Sequence, residues 1–576
     1  MELMTLNSFK SSRYFLFVLS LFLLNCKENQ ESSTKFINAY QKTIIPQQNQ
    51  NSSNLKLENW FVKDMVEDTL PGTSLQKLVD TINVRKIKNK DTVIIAVLDS
   101  PLDIYHNDLK DFIWVNRDEV PDNNKDDDNN GFIDDINGWN FQGLKDGSQN
   151  IFVNYEYTRI LRKYKDRFEN QNIKIGSEDS IAFTTYLQAK AAYKEQVKFA
   201  AEDTVYGNML SRVSLEAKKT LAKYFKNEEY TISSLDSLKS LYPKDTTLQN
   251  NILTRSNFIK YGFTDRYISN YKLKSQERFN KMLNLAYDDR KAIADQSENI
   301  VDSKYGNNVL NNNVDLLDHS TRVAGIIANF KKYCPGLDFS KVIKIMPVVI
   351  SGYGDEHDKD IALAIRYAVD NGAKIINMSF SKKFSMHKEW VDTSFEYAAK
   401  HNVLIVSSAG NDSKNLDSTE NHFPTDKKDE ISKISNNFLL VGASSSTLNE
   451  KLIPSFSNYG KKKVDIFAPG YKVASLLPNN KIKIDSGTSL SSGLVSGIAA
   501  IIYAYFPEIS VEDLKKTLLI TATKYHQNVM VKSKEGEKSI PFKDLSKSGG
   551  VVNALDAFLT VKEMFQESDS SNLRRK

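Results

Sequence analysis

Short apolar runs punctuate the chain from residue 92 onward: Val93–Leu98, Ile343–Ile350, Ile375–Met378, Val403–Val406, Phe438–Val441 and Val464–Phe467. They show little of the polar alternation of a half-exposed strand, so they read as strands buried on both faces. Helical periodicity lies between them. Ile361, Ala362, Ile365, Ala368 and Val369 mark one helical face, Trp390–His401 a second helix and Leu490–Tyr505 a long apolar one. Strands alternating with helices predict an α/β fold with a mostly parallel sheet covered on both faces. Residues 145–315 break this pattern. Their single proline is Pro243, and stretches such as 182–201 and 276–294 carry Lys, Glu, Gln and Ala around helical apolar spacings. This segment is expected to be a large helical insertion, either a solvated elaboration or a lid, gate or docking surface.

The first 26 residues have a different pattern. Lys10 and Arg13 precede an apolar run over residues 14–24, too short to cross a bilayer and suited to an export signal. No later segment reads as transmembrane. The run ends Leu23-Leu24-Asn25-Cys26, which resembles a bacterial lipoprotein box with Cys26 as the lipidated residue. Residues 27–55, rich in Asn, Gln, Ser and Lys, read as a flexible tether. Residues 56–91 read as an N-terminal arm and 561–576 as a charged tail. The catalytic-type domain is then expected over 92–144 and 316–560.

Composition removes several function classes. The chain has 576 residues, 40% hydrophobic, and 77 basic against 72 acidic side chains. A net charge of +5 gives no electrostatic footprint for nucleic acid. Two cysteines, Cys26 and Cys334, make no disulfide framework.

Three polar positions stand out against the apolar pattern. Asp99 ends the first strand, where a carboxylate is held rigidly. His319 opens a small-residue helix in Asp318-His319-Ser320-Thr321-Arg322-Val323-Ala324-Gly325. Ser489 opens the long apolar helix in Ser486-Gly487-Thr488-Ser489-Leu490-Ser491-Ser492-Gly493. Singly these are a turn former, a cap and an N-cap. Together, in the order Asp, His, Ser, they resemble the subtilisin-like serine proteases, peptidase family S8.

Residues 103–109 resemble that family's stretch after the first Asp, and 465–470 its segment ahead of the nucleophile. The resemblance implies a subtilisin-like three-layer fold and a Ser-His-Asp acyl-enzyme endopeptidase acting on protein or peptide substrates. The export signal and the lipoprotein-like box add the expectation that it is exported and tethered to a membrane through Cys26. In it Ser489 attacks, His319 is the base and Asp99 orients it. Asn411 completes the oxyanion hole. Ser379, Phe380 and Ser381 form the substrate strand, and Ser408, Ala409 and Gly410 line the primary pocket. The chemistry needs no cofactor.

Pro101, Ser320, Arg322, Ser381, Leu490 and Gly493 depart from the family's usual residues, so a weakly active or inactive peptide-binding relative stays open, as does acyl transfer to an amine. The string DNNKDDDNNGFIDD over 122–135 puts Asp126, Asp128, Asn130 and Asp134 at positions 1, 3, 5 and 9 of a calcium-type loop, with Asn137 where a bidentate Glu belongs. A structural calcium and a metal-free acidic turn both fit this string.

Overall fold

The computed structural model describes residues 59–573, apart from 87, 89–90, 170–175, 177–178, 227–228, 420, 429–431 and 534–535. The export signal, the tether and Cys26 lie outside the described residues. The rest packs as two units, one from residues 59–156 and 289–573, the other from 157–288.

The first unit is built on a nine-stranded sheet. Its strands are β1 (Val93–Asp99), β2 (Trp139–Asn140), β3 (Ile343–Val349), β4 (Ile375–Met378), β5 (Leu404–Ser408), β6 (Phe438–Ser444), β7 (Ile466–Pro469), β10 (Thr523–Lys524) and β13 (Gly550–Val551). Their order is β10-β13-β7-β6-β5-β4-β1-β3-β2, parallel throughout except at the β10–β13 edge. All six apolar runs enter this sheet, the last displaced by two residues to β7. Two hairpins, β8–β9 (Val473–Leu477, Lys481–Asp485) and β11–β12 (Asn528–Ser533, Gly536–Pro541), stand outside it. β9 is mostly exposed and alternates Lys with Ile, and neither feature raises it above its polar surroundings in the sequence.

β1 sits between β3 and β4, so the chain reverses its direction across the sheet at β1. A crevice opens at the carboxyl ends of strands at such a reversal, and that is where a site is expected. Helices cover both faces: α1 (Leu75–Val84), α2 (Leu317–Ala328), α3 (Asp358–Asp370), α4 (Lys388–Lys400), α5 (Thr488–Tyr505), α6 (Val511–Ile520) and α7 (Ala554–Leu573). α5 carries no charged residue and every residue in it is buried, so it is a core helix despite having the length and composition of a membrane span.

The terminal segments are part of this body. Trp60, Phe61, Val62, Leu75, Leu78 and Val79 join the main core, and the Trp60 indole donates to the Lys472 carbonyl at 3.2 Å. At the other end α7 runs to Leu573 with Val561 buried, so the stretch expected to be a tail begins inside a core helix.

The second unit is helical. A 42-residue helix, Ser180–Leu221, packs against Thr246–Tyr261 and Asp265–Glu277 through small clusters such as Leu210, Phe258 and Ile268. The short helices start at polar caps: Thr231 in a capping box with Ser234, Asp245 on the Leu248 amide and Thr264 on the Tyr267 amide. The insertion is narrower than 145–315. Residues 145–156 and 289–315 belong to the sheet unit, tied by bonds such as Leu102 N to Leu310 O at 3.0 Å. The helix expected over 276–294 ends in a wide turn at Met282, where the Asn284 side chain accepts the Ala286 amide and turns the chain back.

Candidate active site

Asp99, His319 and Ser489 converge from three elements at the carboxyl end of β1. Asp99 is the last residue of β1, His319 lies in the first turn of α2, and Ser489 is the second residue of α5. Close packing of α2 on α5 sets the approach. A Cβ on Gly493 would fall 2.8 Å from Ile326 Cγ2 and 3.0 Å from the Val323 carbonyl, so the glycine that stands in place of the family's proline is what this helix contact requires.

His319 Nδ1 lies 2.8 and 2.9 Å from the two Asp99 carboxylate oxygens, and Nε2 lies 3.1 Å from Ser489 Oγ. Asp99 also accepts the Ser100 amide at 2.7 Å. Burial pushes the Asp99 carboxyl upward. The charge and hydrogen bond of His319 and the Ser100 amide outweigh it and hold the carboxyl below its ordinary value. A carboxylate fixed on Nδ1 leaves Nε2 free to take the serine proton, which is the arrangement general-base catalysis needs. Two departures from the family pattern meet beside this centre: the Ser320 hydroxyl donates to the Pro101 carbonyl and so turns away from the imidazole.

Asn411 follows β5. Its Oδ1 accepts from the Thr488 amide at 2.9 Å and from the Thr488 hydroxyl at 3.1 Å, while that hydroxyl accepts the Gly410 amide at 3.1 Å. Both acceptor bonds go to Oδ1, so Nδ2 is the donor left over. The first amides of a helix have no partner within it, and Ser489 N–H is one of these. Thr488 is the residue that sequence reasoning missed here, because a threonine before the serine reads only as a helix start. Gly410 adopts φ +93°, and a Cβ there would meet Asn458 Nδ2 at 2.7 Å. Asn458 in turn donates to the Ala409 carbonyl at 2.8 Å and holds the wall Ser408–Gly410.

The Ser379 carbonyl lies 3.3 Å from Ser489 Oγ, and the Ser379 hydroxyl lies 3.0 Å from Ser492 Oγ. The backbone amides and carbonyls of Phe380 and Ser381 are unpaired among the described residues, an open edge suited to adding a strand.

The acidic loop is arranged differently from the spacing. Asp126 accepts the Asn130 and Gly131 amides, and Asp134 those of Asn123 and Asn124, so both carboxylates brace turns. Asn137 donates to the Trp114 carbonyl. The carboxylates that gather are Glu119, Asp128 and Asp135, all within 4.8 Å, with Asn130 donating its amide to Asp128 and Asp135. Burial raises the Asp135 carboxyl to about 6, against the pull of Tyr367, Asn116 and Asn130. Three crowded carboxyl groups are a donor set that fits a hard cation. Glu119 and Asp135 escape the loop pattern because one lies before it and the other is off register.

Residues 90–537 match the Subtilase family, Peptidase_S8. The chain belongs to the subtilase family. A cell wall-associated protease of Bacillus subtilis (strain 168) is 35% identical over 213 residues, 36% of this subtilase and 22% of that protein. A thermophilic serine proteinase of Bacillus sp. (strain AK1) is 31% identical over 193 residues, 33% and 43% of the two chains. This subtilase therefore spans less than half the length of either relative. Among solved structures, the prenylagaramide maturation protease PagA is 24% identical over 41% of this chain and 81% of its own, with a TM-score of 0.32.

Proposed function

We propose that this subtilase is an exported serine endopeptidase that hydrolyses peptide bonds through an acyl-enzyme on Ser489. One observation carries the reading: the unbroken contact series Asp99–His319–Ser489 at 2.8 and 3.1 Å. His319 takes the Ser489 proton as Oγ attacks the scissile carbonyl, and Asp99 stabilises the imidazolium that forms. Asn411 Nδ2 and Ser489 N–H face the charge that develops on the carbonyl oxygen. His319 then returns the proton to the leaving amine, and water repeats the sequence on the ester. The substrate lies extended along Ser379–Ser381, its primary side chain against Ser408–Gly410. The six residues Ser379–Ser381 and Ser408–Gly410 carry no charge, which favours an apolar side chain there.

The deciding experiment is intact mass after treatment with a fluorophosphonate. One adduct on the parent and none on Ser489→Ala is the expected result. No adduct on a folded parent would sink the hydrolase and leave a peptide-binding relative.

Export and lipidation at Cys26 belong to the same proposal, supported by the apolar run over 14–24 and by one relative being a cell wall-associated protease. Cys26→Ser is expected to move the protein from the membrane pellet to the soluble fraction; an unchanged pellet would remove the anchor. A structural calcium on Glu119, Asp128 and Asp135 would compensate their charge and hold the 116–137 loop to the body. Its removal by chelation is expected to lower Tm by about 1–2 °C, as about 1–2 kcal/mol of lost binding free energy implies for a unit of this size. A Tm indifferent to both calcium and chelator would exclude the site.

A further inference from the structure

We propose that Lys382 is a positioning residue for extended substrates, locking the Ser379–Ser381 edge to the loop that follows β3. The proposal rests on the substrate strand assigned above. Lys382 comes directly after that edge, and its residue is 4% exposed, an unusual place for a lysine. Its ammonium lies 2.7 Å from Asp358 Oδ1, 2.7 Å from the Glu356 carbonyl and 3.5 Å from Glu156 Oε1.

These partners come from three places. Asp358 opens α3. Glu356 belongs to the 350–357 loop that leads from β3 to α3. Glu156 is the residue from which the helical insertion departs. Each acid is also tied on its own side. Asp358 Oδ2 accepts the Ser385 hydroxyl at 3.0 Å and the His387 amide at 2.8 Å. Glu156 accepts the Met386 amide at 2.9 Å, and its own amide donates to Asp355 at 2.9 Å.

The backbone of Lys382 is clamped as well. It exchanges two bonds with Phe423, 2.8 Å from Lys382 N and 3.0 Å from Phe423 N. A single buried cation thus fixes the end of an otherwise unpaired edge. A small inhibitor that engages only Ser489 does not need that edge in register, whereas a peptide lying along it does. Glu156 places the root of the insertion in the same network, so the segment that departs from the family's architecture begins at a residue holding the substrate edge.

The test separates the two demands. The labelling rate of Ser489 with a fluorophosphonate reports the reacting centre. Anisotropy of a fluorescein-labelled hexapeptide, five alanines then leucine, binding to Ser489→Ala protein reports the edge. Lys382→Met is expected to weaken peptide binding by about tenfold or more while labelling slows by no more than about twofold. Glu156→Gln keeps the acceptor for Met386 N–H and loses only charge, so it tests the network even if Lys382→Met fails to fold, and it is expected to show the same split at smaller amplitude. Lys382→Arg is expected to recover part of the affinity. Equal losses in both readouts, or unchanged peptide affinity in both variants, would overturn the role of Lys382. Failure of the parent to label, with the loss of peptide affinity in both variants still seen, would overturn the hydrolase instead.

Discussion

Ser489→Ala is expected to lower kcat for peptide hydrolysis by about a million-fold, a magnitude known for subtilisin's own nucleophile and carried to this chain by family membership. The substitution removes one oxygen from a buried position in the first turn of α5, where alanine is a good helix former, so the fold should be kept. Circular dichroism and Tm check that point. What remains after the loss comes from peptide binding and oxyanion contacts alone. His319→Ala should cost nearly as much, and the double variant little more, because base and nucleophile act in one step. Asp99→Asn should cost less, on the order of ten-thousand-fold in such triads, because an amide favours the wrong imidazole tautomer. Both carboxylate oxygens lie within 2.9 Å of Nδ1, so one of them would become a competing NH2 donor. Initial rates on one peptide substrate across the four variants settle the question: additive losses, or a Ser489→Ala protein that still turns over, would contradict a shared mechanism.

The parts of this molecule that could be read from sequence are those where one physical demand leaves a repeated mark. Strands buried on both faces must be apolar, so β1, β3, β4, β5 and β6 stood out, and α5 did so for the same reason. Asp99, His319 and Ser489 stood out only together, by their order and local strings, and the structure brings the three side chains into contact. The rest depends on long-range partners that leave no local trace. Nothing in Lys382, Lys383 or their neighbours says that Lys382 alone is buried against three acceptors. The acidic string suggested ligands by spacing, yet Asp126 and Asp134 turned out to be occupied by backbone amides. Glu119 and Asp135 entered the carboxylate group through folding of the loop. Residues 56–91 read as a thin arm because the stretch is short for a folded domain, but Trp60, Phe61, Val62, Leu75, Leu78, Val79 and Ile82 are in the main core. The outer limits of the insertion were misplaced because 145–156 and 289–315 are polar and rich in turns, whichever unit they pack in.

The second large effect is expected at Asn411. Replacement by alanine should lower kcat by about a hundred- to a thousand-fold, the cost of one oxyanion donor in subtilisin, while KM for the same peptide stays nearly level. The split follows from where the interaction acts: Nδ2 meets charge that exists only as the carbonyl becomes tetrahedral, so ground-state binding loses little. The structure adds a control that uses a neighbouring residue. Thr488 holds Asn411 Oδ1 with both its amide and its hydroxyl, and the hydroxyl also takes the Gly410 amide. Thr488→Val leaves the 2.9 Å amide contact and removes the other two, so it should produce a smaller loss in kcat with the same flat KM. Asn411→Asp keeps an acceptor for Thr488 and therefore the local fold, but places negative charge where the oxyanion forms. It should be at least as inactive as the alanine variant while Ser489→Ala, His319→Ala and Asn411→Asp proteins all melt close to the parent. A rise in KM that accounts for the whole loss in Asn411→Ala would instead place this side chain in ground-state substrate binding and leave Ser489 N–H as the principal oxyanion donor.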